Sequence, residues 1–176
     1  MISYSDMKTP PRSNHLWRYT PWKRVHPSTV DEIPQADSIQ FSQGEASVSH
    51  PSDEIARAFL HEIVNGASMI SLSDGDEVDL DIRCSGHLCA GELHVQVSGH
   101  ATLKLRLSGE PGWAGLRIIG EIADNSSLSL ALINDLESDA KVLRVEDWIV
   151  GRDSTFEFAT LSSGGFQIKT DIRVNL

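Results

Sequence analysis

The chain has 176 residues, 40% hydrophobic and 23% charged, with a net charge of −10, which allows one domain with a substantial core and excludes a disordered or fibrous chain. No apolar run approaches the ~20 residues a membrane span needs, and the start, MISYSDMKTPPRSN, lacks the apolar stretch of a secretory signal. The acidic balance argues against nucleic-acid and membrane partners; with two cysteines and no disulfide framework, a cytoplasmic protein is expected.

Residues 1–50 are rich in Pro, Ser and polar residues and read as an irregular arm, with one short helix expected near 28–33. Its densest stretch is LWRYTPWKRVHP, residues 16–27. Residues 1–30 hold Lys8, Arg12, Arg18, Lys23 and Arg24 against Asp6 alone, a net +4 that leaves −14 on the remainder. Trp17, Tyr19 and Trp22 are together too apolar to leave in water. Arg18 and Arg24 can stack on those rings or pair with the acidic body. Trp17, Arg18, Tyr19 and Trp22 are therefore expected to fold the arm back over the helix or one flank of the coils, with the aromatics closing one end of the core, or to contact a partner subunit.

Residues 51–65, PSDEIARAFLHEIVN, read as a helix. Ser52 is the expected N-cap, Asp53 and Glu54 suit the first turn, and Ile55, Phe59 and Ile63 form an apolar stripe. Asn65-Gly66 supplies the stop. Residues 66–176 then show repeated period-two alternation without an intervening helix, as in GELHVQVSG and ATLKLRLSG. The alternation predicts about nine or ten strands.

These strands recur. HATLKLRL, SSLSLAL and DSTFEFATL each place a small residue (Ala101, Ser126, Ser154) two positions before an apolar one (Leu103, Leu128, Phe156), at intervals of 25 and 28 residues. Such spacing fits stacked coils of a β-solenoid; evenly spaced hairpins of a β-sandwich are the competing reading.

Several segments resemble the SufB/SufD family, the paired scaffold proteins of SUF-type iron–sulfur cluster assembly. LWRYTPWKRVHP is similar to the Trp-Arg-Tyr-Thr signature of SufD-like proteins. FLHEIVNGASMISLSDGDEVDLDIRCSG resembles the passage from helix to first coils. GHATLKLRLSG, DNSSLSLALIND and GRDSTFEFATLSSGGFQIKTDIRVNL resemble successive coils, including Gly164-Gly165-Phe166 before a strand. The resemblance implies a right-handed parallel β-helix preceded by the arm and one α-helix, with residues 66–176 forming all or part of its core. It further implies pairing with a SufB/SufD-type paralogue or with itself, and a SufC-type ABC ATPase partner. Family members are longer; the ATPase-docking helices and the C-terminal reactive cysteine have no counterpart in these residues. No catalytic residue is carried over, and a cluster would be held transiently at the level of the assembly. FQIKTDIRVNL is strand-like to its last residue, so that end is expected to be covered by self-association or by a further C-terminal half.

CSGHLC places Cys84, His87 and Cys89 within six residues. Thiolates plus imidazole can bind zinc or an iron–sulfur cluster, with His94 or His100 closing the set. Two semi-buried thiols beside an exposed His87 is the bland alternative. His94 alternates with Leu93 and Val95 and is expected at the surface, as is His61. DGDEVDLD reads as a solvated acidic face and GEPGWAG as a loop. No nucleophile elbow, Walker loop or HExxH is present, so a non-enzymatic scaffold is expected. A stand-alone solenoid or sandwich binding module and a small metal-binding protein are the alternatives.

Overall fold

The computed structural model describes residues 3–136, 139–163 and 167–176; the Gly164-Gly165-Phe166 element lies outside them. Two short strands, β1 (Ile39–Phe41) and β2 (Glu45–Ala46), precede nine longer ones: β3 (Ala67–Ser73), β4 (Glu77–Cys84), β5 (Leu88–Ser98), β6 (His100–Gly109), β7 (Trp113–Ile122), β8 (Ser127–Leu136), β9 (Lys141–Val150), β10 (Thr155–Ser163) and β11 (Gln167–Asn175). Strands β3, β5, β7, β9 and β11 pair in parallel in one sheet, and β4, β6, β8 and β10 in the other. Each coil contributes one strand to each sheet, giving a β-solenoid of about 4 turns. The two facing sheets are parallel throughout these pairs, which excludes the antiparallel sandwich.

The corners explain the repeat. The turns from each odd-numbered strand to the next even-numbered one place Gly75, Gly99, Asn125 and Asp153 at positive φ (83°, 107°, 56° and 55°), where glycine, Asn and Asp are the tolerant residues. These corners stack: Gly99 N–H donates to Ser126 Oγ at 2.9 Å, and Ser126 N–H to Ser154 Oγ at 3.1 Å. The two serines picked out by the sequence pattern are thus corner acceptors. Ala101 is not their equivalent: it pairs with Leu128, an interval of 27 residues, and Leu103 pairs with Leu130. Pairing Leu103 with Leu128 misses the register by two residues, an even slip that leaves the same side chains inward.

Inward-facing aliphatics form ladders along the axis. Leu72, Val97, Ile122 and Val150 are stacked in register, as are Leu80, Leu105 and Leu132, and all seven are buried. One rung breaks the pattern by size. Trp148 lies beside Gly120 with no exposure, and its indole occupies the space a Cβ at Gly120 would need.

The helix and arm cover the outer face of the odd-numbered sheet. A four-residue helix α1 (Trp22–Val25) lies between Pro21 and Pro27; residues 28–33 are not helical, correcting that expectation. Helix α2 (Ile55–Ile63) begins later than its sequence suggested. Glu54, not Ser52, caps it, accepting from Ala56 N–H and Arg57 N–H at 3.2 Å each. Its stripe of Ile55, Phe59, Leu60 and Ile63 joins Ala90, Trp113, Leu143 and Val145 of the sheet in a second apolar cluster that also holds Tyr4, Trp17, Trp22 and Val25. Gly115 lets Leu60 approach the sheet closely. Among the described residues no helix is long and apolar enough to cross a membrane.

Candidate functional site

The two ends of the solenoid differ. At the N-terminal end β1 pairs antiparallel with β4 and β2 with β3, so the first rung has both edges occupied. Ile39 covers Gly91, and Phe41 packs on the core cluster. At the other end no described strand pairs with the outer edges of β10 and β11. There Phe158 is 52% exposed and Val174 44%, although both occupy inward positions, in register with Leu130 and Trp148. Leu161, on the outside of β10, is 63% exposed. Unpaired strand edges beside exposed apolar side chains are ready templates for pairing with another chain.

The core also becomes polar towards that end. Leu116 and Ile118 of β7 are succeeded in register by Arg144 and Glu146 of β9, and Leu107 of β6 by Asn134 of β8. All three polar residues are buried. Arg144 Nε and Glu146 Oε1 are 2.8 Å apart, and Trp148 Nε1 donates to Glu146 Oε2 at 2.8 Å. Arg144 reaches Thr160 Oγ1 at 3.0 Å, and Asn134 Nδ2 donates to Ser162 Oγ at 3.0 Å. Arg144 Nη1 and Asn134 Oδ1 have no protein partner. Burial lowers the pKa of the Arg144 guanidinium, with Glu146 opposing that shift.

The arm-docking residues divide. Trp17 and Trp22 are buried, at 2% and 0% exposure, whereas Tyr19 is 80% exposed and Arg18 is also exposed. Two rings, not three, dock, and they lie on the sheet's outer face instead of closing an end. Trp22 Nε1 donates to Tyr4 Oη at 3.0 Å, and Trp113 Nε1 to the Val25 carbonyl at 2.7 Å. Among the described residues no salt bridge joins the arm cations to the acidic body. The cation comes from the body: Lys169 of β11 lies 5.3 Å from the centroid of the Trp17 ring and donates to the Leu16 carbonyl at 2.9 Å. Apolar burial, not charge pairing, holds the arm.

The predicted metal triplet is not assembled. Cys84 and Cys89 are buried in the main core, while His87 is exposed and lies across Gly112. Burial, reinforced by the neighbouring Cys89, holds the Cys84 thiol well above its ordinary pKa; a thiol kept protonated is a poor ligand. Cys89 Sγ is occupied by Gly86, accepting from its N–H at 3.3 Å. His100 is exposed and bonds Ser127. Asp79 and Asp81 lie on an exposed face, and GEPGWAG is a loop only at residues 110–112, since Gly109 closes β6 and Trp113 opens β7.

His94 corrects another expectation. Its side chain does point away from the solenoid interior, but residues 47–50 cover it, and it is 9% exposed. It meets Glu92 Oε1 through Nε2 at 2.7 Å and His50 Nδ1 at 3.2 Å. His61 is half-buried, bonded to Ser49 at 2.9 Å. Beside this group, Arg57 binds Asp147 at 2.7 Å and Asp171 at 2.6 Å, tying α2 to β9 and β11. Those carboxylates raise the Arg57 pKa against the effect of burial. Among the described residues, His50, Glu92 and His94 bring three metal-ligand atoms within 4.8 Å of one another.

The fold and its open rung define a β-solenoid with one capped end. No family model matches the chain, and no curated protein or solved structure is significantly similar to it.

Proposed function

We propose that this chain is a non-enzymatic scaffold of the SufB/SufD type, serving iron–sulfur cluster assembly by pairing with another β-solenoid subunit. What supports the pairing is the contrast between the two ends: antiparallel strands occupy the first rung, whereas among the described residues no strand pairs with the outer edges of β10 and β11, beside exposed Phe158, Leu161 and Val174, so a strand from a second solenoid or from further residues of the chain would fit there. The assembly role rests on the resemblance of LWRYTPWKRVHP and of the successive coils to that family. The partner is a SufB/SufD-type paralogue or a second copy; a SufC-type ATPase would dock through a segment outside these residues, and the cluster would be held by the assembly.

Co-expression with a tagged SufB-type paralogue and a SufC-type ATPase tests the reading. Co-purification is expected, with loss of the complex in a Phe158→Asp/Val174→Lys variant whose circular dichroism matches wild type. Absence of association, together with no effect of the chain on cluster formation by the other two proteins, would refute it.

A further inference from the structure

We infer that His50, Glu92 and His94 form a binding site for a divalent first-row transition metal of the zinc class, pinning the arm to the solenoid and leaving a coordination position open to solvent. Two elements supply it. Alternation along β5 sends Glu92 and His94 to its outer face, two residues apart. The chain leaving β2 crosses that face, fixed by Ser47 N–H donating to the Ala67 carbonyl at 3.0 Å, and delivers His50.

The three ligand atoms are His50 Nδ1, His94 Nε2 and Glu92 Oε1. Their separations are 3.2 Å between the nitrogens, 2.7 Å from His94 to the carboxylate and 3.6 Å from His50 to it. A triangle with those edges has a circumradius of about 1.9 Å. A point about 2.0–2.1 Å from all three atoms, the zinc–nitrogen and zinc–oxygen bond length, therefore lies just off their plane. Two imidazoles and one carboxylate are the donor set that suits such ions.

Hydrogen bonding alone serves this triangle poorly. His94 Nε2 carries at most one proton and lies between the carboxylate and His50 Nδ1, so a proton given to the carboxylate leaves none for the second nitrogen. A cation satisfies all three lone pairs together. The supporting shell is already in place. Glu92 Oε1 accepts from His50 N–H at 2.8 Å, Oε2 accepts from Ser49 Oγ at 2.8 Å, and Ser47 Oγ lies 3.4 Å from His94 Nδ1. Such bonds orient ligands. Arg117 Nη1 lies 3.3 Å from Glu92 Oε2, the oxygen turned away from the triangle, and 3.9 Å separates Arg117 Nη2 from Asp147. The connected network sets Glu54, Glu92, Asp147 and Asp171 against Arg57, Arg117 and Arg173. Four carboxylates against three guanidiniums leave a net negative charge to meet the ion. Glu92 is 1% exposed, but the His50 side chain is 55% exposed, so the fourth position faces water, as in zinc sites that keep an exchangeable ligand.

The test uses the full chain stripped of metal with a chelator, then titrated separately with zinc chloride and cobalt(II) chloride. Calorimetry should give one zinc per chain, cobalt should develop visible ligand-field absorption, and zinc should raise the melting temperature. His50→Ala, at an exposed position that does not threaten the fold, should weaken binding at least tenfold, and so should His94→Ala. Cys84→Ser and His87→Ala should leave binding unchanged. A folded wild-type chain that takes up no stoichiometric zinc would overturn the site, as would undiminished binding in both histidine variants.

Discussion

Trp22→Ala tests how the arm is held. The indole is fully buried and meets Trp17, His26 and Phe59 edge-on, with ring centroids 5.3, 5.5 and 5.4 Å away. Truncating a buried aromatic to Ala costs about 3–5 kcal/mol in lost transfer energy and cavity. The bond to Tyr4 Oη adds little, because that hydroxyl still donates to the Val30 carbonyl at 2.7 Å. Phe59 couples the loss to the body, since it touches Trp22 and also Trp113 of β7. At about 2–4 °C per kcal/mol for a chain of this size, the melting temperature should fall by about 6–20 °C. Guanidinium unfolding followed by far-ultraviolet circular dichroism measures the free energy directly. Trp22→Phe keeps most of the volume and should lose about 1–2 kcal/mol. Tyr19→Ala removes an exposed ring and should stay within about 0.5 kcal/mol of wild type. A Trp22→Ala variant within about 1 kcal/mol of wild type, or a Tyr19→Ala variant as damaged as it, would refute docking through the tryptophans.

Glu146→Leu leaves Arg144 buried without its counter-ion and should destabilise by about 3–5 kcal/mol, whereas the double variant Arg144→Met/Glu146→Leu should recover most of that loss in the same unfolding assay. His26 gives a pH dependence. It is 2% exposed, burial lowers its pKa below the ordinary 6.5, and its Nε2 has no partner. As pH falls through about 6.5 the unfolded chain takes up a proton that the native chain resists, so this group's contribution weakens the fold on the acid side until the native pKa is reached. His26→Phe should therefore lose less stability than wild type between pH 7.5 and 5.5, values on the order of one unit either side of that pKa; equal losses in urea titrations would exclude the burial effect.

The solenoid was legible where one face of a strand meets the core and the other meets water. Strand β4 reads that way, with Leu80 and Ile82 buried and Asp79 and Asp81 exposed. The signal fails where both faces are covered. In β9, Leu143 and Val145 are buried under the arm while Val142 and Trp148 are buried inside. Period two then no longer separates inside from outside, and nothing in the alternation marks Arg144 and Glu146 as inward. The same cover hid Glu92 and His94. The outward phase read for His94 was correct, but the segment lying over both residues is distant in sequence, and alternation carries no information about such a cover. His50 carried no local signal, since the residues before it, SQGEASVS, are small or polar. Local spacing instead favoured Cys84, His87 and Cys89, yet the strand end turns both thiols inward and the histidine out.

The arm changes the mechanics of the stack. In a solenoid each coil touches only its neighbours, so stability is close to a sum of local terms and the end coils fray first. Here one strap crosses several coils. Asn65, just beyond α2, bonds the Ala36 carbonyl, Trp113 of β7 bonds Val25, and Lys169 of β11 holds Leu16 and Trp17. Arg57 adds a second tie, from α2 to Asp147 of β9 and Asp171 of β11. Lys169 and Asp171 share the outward face of the strand whose free edge marks the open end. Any chain that pairs with β11 therefore meets a strand already positioned by the arm, so loss of the Trp17 and Arg57 contacts weakens pairing at an edge that neither residue touches.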